Sequence, residues 1–476
     1  MAYTQITNST TFFESIKYTG NGGTQNITGI NFKPDFLWIK DRTNANDHKL
    51  QDSIRGSTYT IESNEATDEY NDTNAITSFN NDGFTTGANG NTNTNSATYS
   101  GWVWNTGANA SITYTVKVVS DGGNKYRFDD FGTSAVTLSL EEGGTYTFDG
   151  SDSSMASHPI LLSETNNGTH GGGSVYNTGV TYLLDGSSVT QSAYVSGYSS
   201  ATTRKLQITV AASAPTLYYF CHYHSGMGGQ ANTTSTKGSS NFKGTIQSTV
   251  SASATAGFSI VTYTGTGSNA TVGHGLGIIP DLVWIKKRSG GTDAGWLGYH
   301  AGLGTNTGMR LDHTSNNLSG SDLFNGTAPT ANTFSIGTNF RCNEDNSSTY
   351  VAYCYSSIKG FSSVGTLQGT GISGNGPYVN CGFKPSFLVV KNNPDSNSWR
   401  MYDDRNPGYN KNGYYVNANA GGNESTNNTA TRIDFMSNGF KIVGDSGSIN
   451  GDGDTMVYWA YAQNPFVGGG IPATAF

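Results

Sequence analysis

One motif returns three times along this chain of 476 residues, and internal repetition at that scale constrains the fold more than any local pattern. Phe32-Lys33-Pro34-Asp35-Phe36-Leu37-Trp38-Ile39-Lys40 recurs as Ile279-Pro280-Asp281-Leu282-Val283-Trp284-Ile285-Lys286. It recurs again as Phe383-Lys384-Pro385-Ser386-Phe387-Leu388-Val389-Val390-Lys391. Each run reads as a strand entered through a proline, where the missing N–H is tolerated. Its apolar stretch predicts a buried central strand that ends on a lysine meeting solvent. A second anchor follows in each copy: Phe79-Asn80-Asn81-Asp82-Gly83-Phe84, Thr333-Phe334-Ser335-Ile336-Gly337, and Phe435-Met436-Ser437-Asn438-Gly439-Phe440. Asn-Asp-Gly and Ser-Asn-Gly between aromatics predict hairpins, and the second copy lacks that turn. Tyr99-Ser100-Gly101-Trp102-Val103-Trp104, Tyr350-Val351-Ala352-Tyr353-Cys354-Tyr355 and Met456-Val457-Tyr458-Trp459-Ala460-Tyr461 close the copies, their alternate aromatics lining one sheet face. From Trp38 to Phe84 to Trp102 the steps are 46 and 18 residues. From Trp284 to Phe334 to Tyr353 they are 50 and 19, and from Val389 to Phe440 to Trp459 they are 51 and 19. The copies span 1–110, 251–359 and 360–476. Residues 111–250 match none of the anchors and read as a different inserted domain, ending in a Ser/Thr/Ala linker over 248–256.

Composition sets the class of each domain. Only 13% of residues are charged, 63 are glycine and 12% are aromatic. Long helices need far more Lys, Glu, Leu and Ala, so the pattern predicts an all-β protein with thin, aromatic-rich sandwich cores. A net charge of −8 without any Lys/Arg run argues against a nucleic-acid partner or an anionic membrane surface. No apolar stretch reaches the ~20 residues that span a bilayer. Met-Ala-Tyr-Thr-Gln at the N-terminus has no basic segment followed by an apolar one, so no secretory leader is expected. Four cysteines are too sparse for a disulfide scaffold. Synthesis in a reducing host cytoplasm, followed by release on a particle through lysis, reconciles these features with an adhesive-looking surface.

The repeat resembles a module of virion proteins from marine tailed bacteriophages, in which Gly-Phe-x-Pro-Asp, two hydrophobic residues and Trp-Ile-Lys precede Ser-Phe-x-x-Asp-Gly-Phe and an aromatic strand. Copies one and three follow that pattern well, and the resemblance covers about two-thirds of the chain. It implies lectin-type jelly-roll sandwiches in a fibre, appendage or particle decoration located on the virion. It also implies contacts with other virion proteins or host glycans, and assembly as a homotrimer. A bacterial surface or filament adhesin is the rival reading.

Within the inserted domain, His158 precedes an apolar run, and Leu217-Tyr218-Tyr219-Phe220-Cys221-His222-Tyr223-His224-Ser225-Gly226-Met227 lies far downstream. This arrangement resembles the cupredoxin fold, closest to members with a short ligand loop such as amicyanin. By position, the resemblance implies copper ligands at His158, Cys221, His224 and axial Met227. A thiolate, two imidazoles and a weak thioether are the donor set of electron-transfer copper, which makes a copper carrier the third reading. Domains of this fold also exist without metal. His170 and His222 are either competing ligands or plain loop residues.

No catalytic residues are expected. Glu141-Glu142, Asp129-Asp130 and Asp403-Asp404 are adjacent pairs that point apart on a strand and read as solvated turns. Asp445, Asp452 and Asp454 lack the fixed spacing of a calcium loop and read as loop residues. Trp38, Trp102, Trp284 and Trp459 are assigned to the core. Trp296, Trp399 and Tyr402, in loop-rich stretches, are the candidates for stacking on sugar rings.

Overall fold

The computed structural model describes residues 4–289, 293, 295–315, 317–465, 467–468 and 471–472. The first three residues of the N-terminal segment lie outside them. The protein is all-β, with 43% of residues in strands and 9% in helix. It divides into two compact units, one formed by 1–107 with 252–476 and the other by 108–251.

The first unit holds the three repeats, each with a main sheet in the same strand order. In repeat 1 a leading strand Phe13–Thr19 pairs with the closing strand Thr98–Trp104. The closing strand pairs with the central strand Phe36–Asp41, and the central strand with a flanking strand Lys49–Asp52. Repeat 2 uses Phe258–Thr264, Thr349–Tyr355, Leu282–Ser289 and Trp296–His300 in that order. Repeat 3 uses Ser362–Gln368, Thr455–Pro465, Phe383–Asn392 and Arg400–Asp403. All these neighbours are antiparallel, and the registers are equivalent: Phe36 faces Trp104, Leu282 faces Tyr355, and Phe387 faces Tyr461. Each repeat adds a small second sheet. Repeats 1 and 3 close it with the expected hairpins, Ile76–Asn80 to Gly83–Thr86 and Ile433–Met436 to Gly439–Ile442. All three second sheets also pair the hairpin position with an earlier strand, Gln25–Thr28 in repeat 1 and Tyr378–Asn380 in repeat 3. In repeat 2, without the Asn-Gly turn, the pair of Thr333–Ile336 with Ala270–Gly273 forms the sheet among the described residues.

Alternation along the central strands explains how the sheets pack. Successive strand residues point to opposite faces. Leu37 and Ile39 pack with Ile27, Phe84 and Tyr99 into a core belonging to repeat 1, and Leu388 and Val390 pack likewise with Phe435 and Phe440 in repeat 3. The opposite parity, Phe36, Trp38, Leu282, Trp284, Phe387 and Val389, joins one cluster that also takes Trp104, Tyr355 and Tyr461 from the closing strands. The three repeats therefore share a single aromatic core. Phe13 stacks on Tyr461 with ring centroids 4.6 Å apart, and Trp284 meets Trp399 at 5.2 Å. Strands buried on both faces read as continuous apolar runs for this reason.

The lysines that close these runs do not reach solvent. Lys40, Lys286 and Lys391 share the parity of the common core, and all three are buried. Each ammonium group donates to a backbone carbonyl of another repeat. Lys40 reaches Gly421 at 3.1 Å, Lys286 reaches Thr67 at 2.6 Å, and Lys391 reaches Thr314 at 3.4 Å. The donation runs cyclically, from repeat 1 to 3, 3 to 2 and 2 to 1.

A second ring of ring-nitrogen donors follows the same direction. His48 Nε2 bonds Asn417 O at 2.9 Å, while Trp296 Nε1 bonds Glu62 O and Trp399 Nε1 bonds Arg310 O, both at 2.8 Å. Because Trp38 Nε1 donates to His48 Nδ1, His48 is neutral with its proton on Nε2, and burial holds its pKa well below the usual range. Trp296, Trp399 and Tyr402 are thus interior residues rather than sugar-stacking platforms: the two indole N–H groups find their partners across a seam, and the Tyr402 hydroxyl donates to Thr431 O at 2.7 Å within repeat 3.

In the 108–251 unit, one sheet runs Asn124–Phe128, Ser111–Ser120, Thr145–Asp149, Arg204–Thr209, Val180–Leu184, Ser187–Val189. The other runs Leu138–Glu141, Gly229–Thr234, Leu217–Cys221, Ile160–Ser163. Each sheet contains one parallel pair, and both contribute to one core around Tyr114, Phe128, Phe148, Leu161 and Tyr219. The expected 248–256 linker is in part a strand, Ser248–Ser253, which pairs with Ser239–Asn241. It buries Ser248, Val250, Ser251 and Ser253.

Burial lowers Lys40, Lys286 and Lys391 to about 8 from an ordinary 10.5. A folded-state pKa below the unfolded one means the unfolded chain binds more protons between those values, so stability rises with pH there. Unfolding free energies from urea titrations are expected to climb between pH 8 and 10, by at most on the order of 1–3 kcal/mol per lysine. Lys40→Met, Lys286→Met and Lys391→Met together should flatten that rise. Above about pH 10, ionisation of the tyrosines in the unfolded chain reverses it, because burial raises the pKa of Tyr355 and Tyr461.

Candidate metal centre

The donor cluster is built where two strands of the inserted unit end together. Ile160–Ser163 pairs antiparallel with Leu217–Cys221, and Ile160 lies opposite Cys221. His158 sits two residues before the first of these strands, and His222 N donates to Pro159 O at 3.0 Å, extending the pairing beyond the cysteine. Two further bonds seat His158: its N–H reaches Met155 O at 2.8 Å, and buried Tyr126 donates its hydroxyl to His158 O at 3.0 Å.

Residues 222–228 then form the loop that turns Leu217–Cys221 into Gly229–Thr234, with Tyr219 opposite Gly229. That turn depends on Gly228, where a Cβ would lie 1.6 Å from Tyr219 O. Inside the loop, Met227 is buried, its carbonyl held by Tyr126 N at 3.0 Å, and Lys125 Nζ donates to Gly226 O.

Three of the four expected ligands converge. Cys221 Sγ lies 3.8 Å from His158 Nδ1 and 3.5 Å from His224 Nδ1, and all three donor atoms fall within 4.8 Å of one another. Among the described residues this is the one group of three His, Cys, Asp or Glu donors gathered closely enough for a single ion. The spacing fits such an ion, because bonds of about 2.3 Å to sulfur and 2.0 Å to nitrogen at trigonal or tetrahedral angles separate S from N by roughly 3.5–3.8 Å. Cys221 is 0% exposed and His158 8%, whereas His224 is exposed. The two imidazoles are tilted at 45° with centroids 4.6 Å apart. Burial first, and then the neighbouring His224, lower the His158 pKa, which favours the neutral imidazole that a metal requires. Met227, on the same loop, is buried in the core of the inserted unit.

The remaining candidates separate from this group. His170 Nε2 lies 3.0 Å from Cys221 O, so its ring meets the backbone of Cys221. His222 packs edge-on against Tyr223 and lies outside the donor group.

Carboxylate pairs expected in solvated turns are partly interior. Asp403 and Asp404 are buried, and desolvation lifts Asp403 to about 6; Ser100 donates to Asp403 across a repeat seam at 3.0 Å. Glu141 is buried as well, accepting from the Gly238 and Ala110 amides. Asp454 accepts from Asn392 Nδ2 at 2.7 Å, a structural use that matches its loop reading.

The sequence reading missed a triplet of buried amides, Asn93, Asn343 and Asn450, whose Nδ2 atoms donate to Gly87, Gly337 and Gly444 carbonyls. Their signal was available, because each stands nine or ten residues before Trp102, Tyr353 or Trp459.

Fold and site together define an all-β protein of repeated two-sheet modules with an inserted sandwich that gathers one thiol and two imidazoles. The chain belongs to the family described as Domain of unknown function (DUF7483), whose model matches residues 8–145 and 231–465. The segment between the matched stretches contains His158, Cys221, His224 and Met227. No curated protein and no solved structure matches the chain.

Gly228→Ala should break the turn that gathers the donors. The expected cost is about 1–3 kcal/mol in the inserted unit, read by thermal unfolding. Cys221, protected in the wild type, should become reactive to thiol reagents in peptide-resolved labelling.

Proposed function

We propose that the chain is a non-enzymatic structural protein of a tailed-phage particle, a fibre, appendage or surface decoration whose inserted unit binds copper. The observation that carries the structural part is the common aromatic core of the three repeats. Three sheets closed on one another make a rigid body inside a single chain, which suits a load-transmitting or display role. The resemblance of the repeats to virion modules supplies the particle. Partners under this reading are sibling virion proteins, further copies of the chain as a homotrimer, and host glycans. With Trp296, Trp399 and Tyr402 in the interior, the glycan-facing aromatics fall to the exposed rings of Tyr59, Tyr223, Tyr378 and Tyr409.

Copper is supported by the donor chemistry of the His158–Cys221–His224 group, with Met227 as the weak fourth ligand. When bound, a copper ion in such a set supplies one-electron chemistry. The chain's own residues do the rest: Tyr126 and Met155 orient His158, the sandwich interior excludes water from Cys221, and His224 connects the centre to solvent.

Mass spectrometry of purified particles should find the chain at a fixed copy number, and sedimentation of the recombinant protein should give a trimer. Their absence overturns the structural reading. Cu(II) added to the full chain should produce an intense thiolate charge-transfer band at one ion per chain. Cys221→Ser should abolish the band, and Met227→Ala should retain it. A colourless titration removes copper from the proposal.

A further inference from the structure

We propose that Asn167 is the positioning residue that holds loop 222–228 in its donor-gathering shape before any metal arrives. Its purpose rests on the copper reading above, but its test does not.

The loop cannot hold itself. His224, Ser225 and Gly226 are all exposed, and Gly226 sits at φ 74°. A seven-residue loop with two glycines has many conformations of similar energy. Yet it must keep His224 beside Cys221 while returning Met227 to the interior. The constraint comes from outside: Lys125 and Tyr126 hold the carbonyls of Gly226 and Met227, and the segment after Ile160–Ser163 holds Ser225 and the Gly226 amide.

Asn167 precedes the short 3-10 turn Gly168–Gly171, and its side chain makes no capping bond to it. Its side-chain amide faces the loop instead. Nδ2 donates to Ser225 Oγ, and Oδ1 accepts from Gly226 N, both at 2.8 Å. One amide thus pins two consecutive residues, placed directly between His224 and Met227. The same turn touches the other end of the loop, where His170 Nε2 approaches Cys221 O. Gly168 seats the turn against the strand Leu217–Cys221, since a Cβ there would lie 2.4 Å from the Phe220 ring. The turn therefore grips the segment at residue 221 and at residues 225–226, leaving His224 between two fixed points.

Asn167 has φ 61°, a conformation that Asn and Gly adopt more readily than other residues. Asn167→Gly therefore removes the clamp without straining the backbone. In the metal-free full chain, amide exchange across 222–228 should accelerate at least tenfold, with protection of 218–220 and the thermal midpoint unchanged. Titration with Cu(II) alone should show affinity lowered by about 10–100-fold, the usual effect of losing a partner that orients ligands. Asn167→Asp, which keeps the acceptor for Gly226 N, should fall between.

Loop exchange in Asn167→Gly equal to that of the wild type overturns the clamp, whatever copper does. Faster exchange together with a wild-type chain that takes no copper leaves the clamp standing and removes the copper reading.

Discussion

Every main sheet in the repeat unit has two apolar faces, and the rest of the architecture follows from covering both. One face is covered locally by the small second sheet of the same repeat. The other has no cover within its own repeat, so three such faces close on one another. Phe36, Leu282 and Phe387 stand at equivalent registers against Trp104, Tyr355 and Tyr461, all within one cluster. A single repeat would expose that aromatic face, and exposed apolar surface of this extent is what association removes.

Closing three sheets creates seams, and polar groups at the seams decide the order of the ring. The buried lysines and the His48, Trp296 and Trp399 ring nitrogens each donate to the next repeat in one rotational sense. A buried donor is costly unless paired, so each seam is specified by the neighbour that completes it. Ion pairs add to the seam of repeats 1 and 3 and to that of repeats 1 and 2. Arg42 pairs with Glu424 at 2.9 Å and Arg288 with Glu69 at 2.7 Å. The equivalent residue in repeat 3 is Asn393, at the seam with repeat 2, where the chain itself runs directly from one repeat to the next. Repeats 1 and 3 have no such direct connection, and their seam carries Arg42–Glu424 along with Ser63 to Ala418 and Ser100 to Asp403.

Much of this was legible in the sequence, and the misreadings share a cause. The three anchors located the central and closing strands because aromatic side chains at fixed separations leave a visible pattern. The shared core was also written there, in the apolar residues at both parities of Phe36-Leu37-Trp38-Ile39, but a run apolar on both faces does not say what covers the second face. Lys40, Lys286 and Lys391 were therefore read as solvent-facing, and Trp296 and Trp399 as surface rings. Their partners are backbone carbonyls of another repeat, which no side-chain pattern encodes. In the inserted unit, the four candidate ligands could be named from their spacing and chemistry. Asn167 could not, because its bonds to Ser225 and Gly226 depend on how a turn 58 residues earlier folds back.

The shared core is tested most directly by perturbing one repeat and reading the others. Trp284→Ala removes a repeat 2 side chain from the common cluster, at an expected cost of about 3–5 kcal/mol. Native-state amide exchange should then show protection falling by the same amount in the closing strands Thr98–Trp104, Thr349–Tyr355 and Thr455–Tyr461, in one cooperative opening. Loss of protection confined to Thr349–Tyr355, with repeats 1 and 3 unchanged, would contradict a single core and leave three independent sandwiches.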